Sequence, residues 1–219
     1  MLFKLSRRLK KYAKGWLIAT LFLVDAAFTF FLMPFINDFI SRASTNPTPI
    51  DLMFFYTPQS VYAEIAGFGE YLRRFNKTVN LTIDLIYPLV YTLFFSLLIT
   101  WLFKKGFAPG SEMQMLNVVP FAAMSFDLLE NFGIVTMLSI YPATPENLAW
   151  ITAIFSMSKW VFVGLSIFLT LIGIAAVAAN QIGKRESKSL PAEDSKGSIS
   201  MRTAAQVSFS GSNTQKRKG

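Results

Sequence analysis

The chain has no cysteine and no histidine. The first absence excludes disulfides, thiol nucleophiles and thiolate metal sites. The second removes the commonest general base and metal ligand. Any chemistry must therefore run on carboxylates, lysine, tyrosine, serine, threonine or asparagine, and neither a metal nor a cofactor is expected. Charge is sparse as well, at 16% of residues against 53% hydrophobic. No polar stretch is long and patterned enough for a soluble catalytic domain.

What the chain does have is four long apolar blocks, over 15–36, 81–103, 115–141 and 148–179. Each is long enough to cross a hydrocarbon core of about 30 Å. With a mean hydropathy of +0.42, they predict an all-α fold: a four-transmembrane-helix bundle over 15–182, with a small outer helical cap over 50–80. Residues 1–14 form a basic N-terminal segment that rests on lipid headgroups, and 183–219, rich in Ser, Lys and Gly, are expected to be a disordered cytoplasmic tail. The first block follows a basic start, as in a signal peptide, but about 22 residues with Asp25 at the centre and no small-residue cleavage site read as a retained span.

Sixteen of the 21 Lys and Arg fall before the first block, between the second and third, or after the fourth. The opposite side holds Arg42, Arg73, Arg74 and Lys77. This asymmetry predicts an integral protein of the cell (inner) membrane with both termini cytoplasmic. The net charge of +8 is then topological bias and affinity for anionic headgroups. Membrane lipids are the expected partners, nucleic acid is not, and a homo-oligomer is left open.

In the outer segment, Thr57 followed by Pro58 is a helix start, with Thr as N-cap and Pro at the first helical position. A short helix from there to about Ala66 puts Val61, Ile65 and Phe68 near one face. Gly67 and Gly69 mark a break, after which helix resumes near Glu70 and runs into the second span without a stop. The stretch 41–49 is expected to be irregular. Pro120, early in the third span, is a place for a kink. Two sequons, at Asn76 and Asn80, are weak signals at the membrane edge.

Inside the spans sit Asp25, Asp84, Asp127, Glu130 and Lys159. An ammonium in the bilayer costs roughly 2.5 kcal/mol or more unless it is matched. Blocks three and four are joined by only 142–147, which makes a tight antiparallel hairpin. Glu130 lies 11 residues before Tyr141 and Lys159 lies 11 after Leu148, so both fall roughly 16 Å from the same end and are expected to meet. Arg73, Lys77, Asn80, Asp84, Tyr87 and Tyr91 form a polar stripe down the second span. Asp127 and Asn131 share a face of the third, with Glu130 on its shoulder, and Thr152, Ser156, Lys159, Ser166 and Thr170 share a face of the fourth. The plainer readings are an interfacial Asp84 paired with Lys77 or Arg73, interfacial belts for Trp101, Tyr141 and Trp150, and Ser and Thr that only pack helices.

The run Tyr56-Thr57-Pro58 with Tyr62, then Gly69-Glu70 and Arg73-Arg74, Asp84 with Tyr87-Pro88 and Tyr91, Asp127-Leu128-Leu129-Glu130-Asn131 and Lys159-Trp160 resembles a family of uncharacterised four-span bacterial integral membrane proteins. The resemblance covers about 15–175 and implies the architecture, not an activity.

The leading functional expectation is a buried polar pocket, open toward the outer side, that binds a small polar or amphiphilic, lipid-like ligand. Asp84, Tyr87, Asp127, Glu130, Asn131 and Lys159 would line it, with Arg73 and Arg74 at its mouth. Proton- or cation-coupled transport through Asp25, Asp127 and Glu130, an intramembrane lipid-modifying enzyme, and a scaffold with a purely structural polar core are the alternatives.

Overall fold

Apolar blocks this long satisfy their backbone in lipid by forming helices. The computed structural model describes residues 2–44 and 50–189, and no strand occurs among the described residues. Four helical stretches, Gly15–Ala43, Glu70–Gly106, Glu112–Ile140 and Glu146–Gly183, are long and apolar enough to cross a membrane. The packed unit covers Met1–Ala178. A second segment, Ala179–Gly219, is described only where it ends the last helix.

The first span is α2 (Gly15–Ala27), a single π-helical turn (Phe28–Leu32) and α3 (Met33–Ala43) in one continuous run. It extends past the expected end at 36, and the irregular stretch expected over 41–49 lies outside the described residues from 45 to 49. A 3-10 turn, Ile50–Leu52, then leads to α4 (Pro58–Gly67). Thr57 and Ser60 cap α4 reciprocally: the Ser60 amide donates to Thr57 Oγ1 at 3.2 Å and the Thr57 amide to Ser60 Oγ at 3.0 Å. Val61, Ile65 and Phe68 are wholly buried and pack with Ile134, Met137 and Ala149. The expected cap is thus present and seated on the bundle.

Helix α5 (Glu70–Gly106) resumes where expected and continues unbroken for 37 residues. The third span starts as a 3-10 helix, Glu112–Val118, and becomes α6 at Val119–Ile140. Pro120 therefore stands in the first turn of the α-helix, where its missing N–H costs nothing, and starts that helix instead of kinking it. Helix α7 runs Glu146–Ser189, so residues 183–189, expected to be disordered, are helical. No proline occurs between Pro145 and Pro191 to stop it. The rest of the expected disordered tail, from 190 on, lies outside the described residues.

Small residues set the closest helix approaches. A Cβ on Gly133 would stand 2.2 Å from Thr152 Oγ1, one on Gly173 2.8 Å from Leu102 Cβ, and one on Gly106 2.7 Å from Ala176 Cβ. Backbone approach of this kind holds helices together where lipid offers no hydrophobic drive. At the basic end, α1 (Leu2–Tyr12) is more than a headgroup anchor. Leu9 packs with Ile18, Phe94 and Leu97, and buried Ser6 Oγ donates to the Gln114 carbonyl at 3.3 Å. Asn117 Nδ2 donates to Thr100 Oγ1 at 2.8 Å in the same layer.

Candidate functional site: a cavity walled by spans one and four

The hairpin of α6 and α7 brings Glu130 and Lys159 together as equal depth requires. Lys159 Nζ is 2.5 Å from Glu130 Oε2 and 4.0 Å from Asp127 Oδ1. Glu130 is wholly enclosed and Lys159 is 6% exposed. Burial this complete makes the ion pair the condition for keeping either charge inside. Asp127 Oδ2 accepts from Tyr91 Oη at 3.0 Å, and the Tyr91 ring meets the Tyr87 ring edge-on at 5.4 Å. Tyr87 stacks on Phe28 at 5.5 Å and its hydroxyl lies 3.0 Å from Thr29 Oγ1. Both of these partners lie on the π-helical turn, a distortion that often marks a functional position.

In α5, Pro88 has no N–H to give the Asp84 carbonyl, which would be left open in the bundle. Asn131 Nδ2 from α6 donates to it at 2.8 Å. Pro88 and Asn131 thus place the Asp84 turn against α6.

These groups line one side of a cavity of about 440 Å³. Asp84, Tyr87, Tyr91, Asp127, Asn131 and Lys159 supply most of its polar lining. Asp25, Thr29 and Asn37 of the first span, with Trp160 and Val163 of the fourth, complete the wall. Most of the lining is apolar. The exposed lining residues are Thr29 and Pro34 on the first span, Ile167 on the fourth, and Leu52. These residues mark the cavity's mouth on the first and fourth spans, with Leu52, from the segment that follows the first span, at its edge.

Of the expected site residues, Asp84, Tyr87, Asp127, Asn131 and Lys159 lie together on this wall. Asp84 is 7% exposed, buried within the bundle. Glu130 does not line the cavity and stands behind Lys159, 2.5 Å from its ammonium. Arg73 and Arg74 are not on it, because α5 carries them into the cap, roughly 16 Å above Asp84 at 1.5 Å per residue. Arg73 stands over the Tyr141 ring at 4.7 Å and donates to the Phe68 carbonyl. Arg74 pairs with Glu70 at 2.7 Å on the surface.

Sequence reasoning missed the segment between the first span and α4. Ser156, ten residues into α7, donates its hydroxyl to the Met53 carbonyl at 2.7 Å. Tyr56 is 2% exposed, and among the described residues its hydroxyl has no hydrogen-bond partner. Burial, and then the Glu130 carboxylate, push the pKa of that hydroxyl upward. Irregular backbone thus reaches well into the bundle, which a membrane protein tolerates only where protein or a cavity surrounds it. The mixed apolar and polar run Ile50 to Tyr56 has no periodicity that would have revealed this.

Among the described residues no group of three or more acidic side chains is placed to hold a metal ion. No family model, no curated protein and no solved structure matches this chain, so the four-span resemblance of its motifs rests on those motifs alone.

Proposed function

We propose that the protein holds an amphiphilic, lipid-like molecule in this cavity. Its polar group would lie against Asp84, Asp127, Asn131 and Lys159, and its chain would leave through the seam between the first and fourth spans. The observation that carries the reading is a mostly apolar cavity with a few charged and polar side chains on its wall, three of whose four exposed lining residues, Thr29, Pro34 and Ile167, lie on two candidate spans. A water-soluble ligand has no use for a lateral, apolar mouth, whereas a lipid meets it in the plane of the membrane. Pockets of this size, mostly apolar with a few convergent polar groups, are where small ligands bind.

The unequal distribution of Lys and Arg supports the orientation that goes with this reading: termini and α1 on the cytoplasmic side of the cell membrane, α4 and its cap outside. Ligand entry would then be from the bilayer, at a depth set by Lys159.

Counting lipids that survive exhaustive delipidation tests the reading. The expected result is about one amphiphile per chain in the natural protein, and a loss of most of it in Ile167→Trp, whose indole blocks the mouth about two helical turns from Lys159. Equal retention by both proteins would mean that lipid is held elsewhere or not at all.

A further inference from the structure

Charge on the cavity wall is one-sided. Asp25, Asp84 and Asp127 line it against a single base, Lys159. That base is shared between Glu130 behind the wall, at 2.5 Å, and Asp127 on it, at 4.0 Å, so it is already matched and leaves Asp25 without a cation of its own. Asp25 Oδ1 is buried with no hydrogen-bond partner among the described residues, and so is Trp160 Nε1. Both residues face the same cavity. In such a setting a carboxyl group takes up a proton or binds a cation from outside.

Aromatic side chains stand among these charged groups. Tyr87, Tyr91 and Trp160 contribute rings to the lining, and the Lys159 ammonium stands 5.3 Å from the centroid of the Trp160 ring. An ammonium beside an aromatic face is thus already part of the site. Carboxylates interleaved with rings are the surroundings that hold organic ammonium groups, through ion pairing and the attraction of the ring quadrupole. A bare divalent ion needs several oxygens closing on one point at about 2.0–2.6 Å, and the described acids are not so grouped. Anionic headgroups would face three carboxyl groups and one matched lysine.

We propose that the polar end of the occupant is an ammonium: the cavity selects amphiphiles with a cationic amine headgroup over anionic ones, with Asp25 as the residue that reads the charge. The inference rests on the lipid-binding reading above and narrows it to one headgroup chemistry. An amine-bearing phospholipid and a free long-chain amine share that chemistry.

Nanodiscs holding phosphatidylethanolamine and phosphatidylglycerol in equal amounts provide the test. The full chain is extracted from them and its retained lipids are measured by mass spectrometry. The expected preference for phosphatidylethanolamine is about tenfold, falling to about twofold in Asp25→Asn and kept in Asp25→Glu, which retains the charge. Asp25→Glu also guards against a loss that reflects folding alone. Decylamine and decanoate, as competitors, separate the sources. Displacement by decylamine alone shows that the ammonium suffices, while displacement by neither, with the phospholipid preference intact, shows that the whole amine-bearing phospholipid is read. Equal retention of the two phospholipids, or equal displacement by decanoate and decylamine, overturns the ammonium selectivity and leaves lipid binding standing. Retention of neither phospholipid overturns both.

Discussion

Asn131 completes the hydrogen bond that Pro88 removes: its Nδ2 stands 2.8 Å from the Asp84 carbonyl, the acceptor four residues before the proline. Leaving that buried carbonyl open costs about 1–3 kcal/mol. Asn131→Leu is therefore expected to destabilise the protein by about that amount, and to cost much less in a Pro88→Ala background, where the residue 88 amide supplies the bond again. Thermal unfolding in detergent of the four proteins of this cycle measures the difference. Equal costs of Asn131→Leu in the two backgrounds would show that the proline and the amide are unrelated.

The Glu130 and Lys159 pair gives a second cycle. Removing one member of an enclosed ion pair strands the other, which costs about 3–5 kcal/mol, whereas removing both leaves only a polar void. Lys159→Met alone is expected to lower yield and unfolding temperature sharply, and Glu130→Gln with Lys159→Met to recover part of the loss. If the double variant is as unstable as the sum of the two single ones, the pair contributes no coupling.

Much of this was legible in the sequence, because depth and helical face are one-dimensional quantities that a sequence records directly. Glu130 and Lys159 could be matched by counting from a tight hairpin. Thr57 and Pro58 carried their own start signal, and Thr152, Ser156, Lys159, Ser166 and Thr170, which share a face of α7, are all buried. What could not be read was lateral arrangement. The stripe on α5 placed Arg73 and Asp84 on one line, but a 37-residue helix outruns the bundle, so its upper residues serve the cap. The face of Glu130 was right, yet whether it reaches the cavity or stands behind Lys159 depends on how α6 and α7 are rotated against each other. Insertion of Met53 beside Ser156 leaves no trace in periodicity at all.

Close approach of α6 and α7 at Gly133 makes a sharp steric prediction. An added Cβ would meet three Thr152 side-chain atoms within 2.9 Å, so Gly133→Ala is expected to cost about 1–3 kcal/mol through overpacking. Thr152→Ala in the same chain relieves it. Gly164 has open space around the corresponding position, and Gly164→Ala is expected to leave the unfolding temperature unchanged or slightly raised, as alanine favours helix over glycine. Equal losses at Gly133 and Gly164 would refute the tight seam.

Because the chain has no cysteine of its own, orientation can be tested with single introduced thiols. Ala143, between α6 and α7, and Ala108, between α5 and the 3-10 helix, are both exposed and lie at opposite ends of α6. With the cap outside, Ala143→Cys is expected to react with a membrane-impermeant maleimide in intact cells, and Ala108→Cys only after permeabilisation. The reverse pattern would invert the protein, and labelling of both in intact cells would break the four-span topology.

Among the described residues one side-chain hydrogen bond ties the inserted segment to α7. Ser156 Oγ donates to the Met53 carbonyl at 2.7 Å, whereas Thr152, Ser166 and Thr170 on the same face turn back to their own helix. Ser156→Ala therefore leaves a buried carbonyl unmatched on irregular backbone, a loss of about 1–3 kcal/mol, while Ser166→Ala removes only a bond within α7. Segments of lower local stability exchange their amides sooner. Hydrogen exchange over the peptide covering Met53 to Tyr56 is expected to quicken by about tenfold or more in Ser156→Ala, and to stay unchanged in Ser166→Ala. Leu52 at the edge of the mouth belongs to the same segment, so the quickening should be accompanied by weaker lipid retention. Unchanged exchange in Ser156→Ala would show that packing of Tyr56 and Ile50 alone keeps the segment in place, and that the hydroxyl of Ser156 is dispensable.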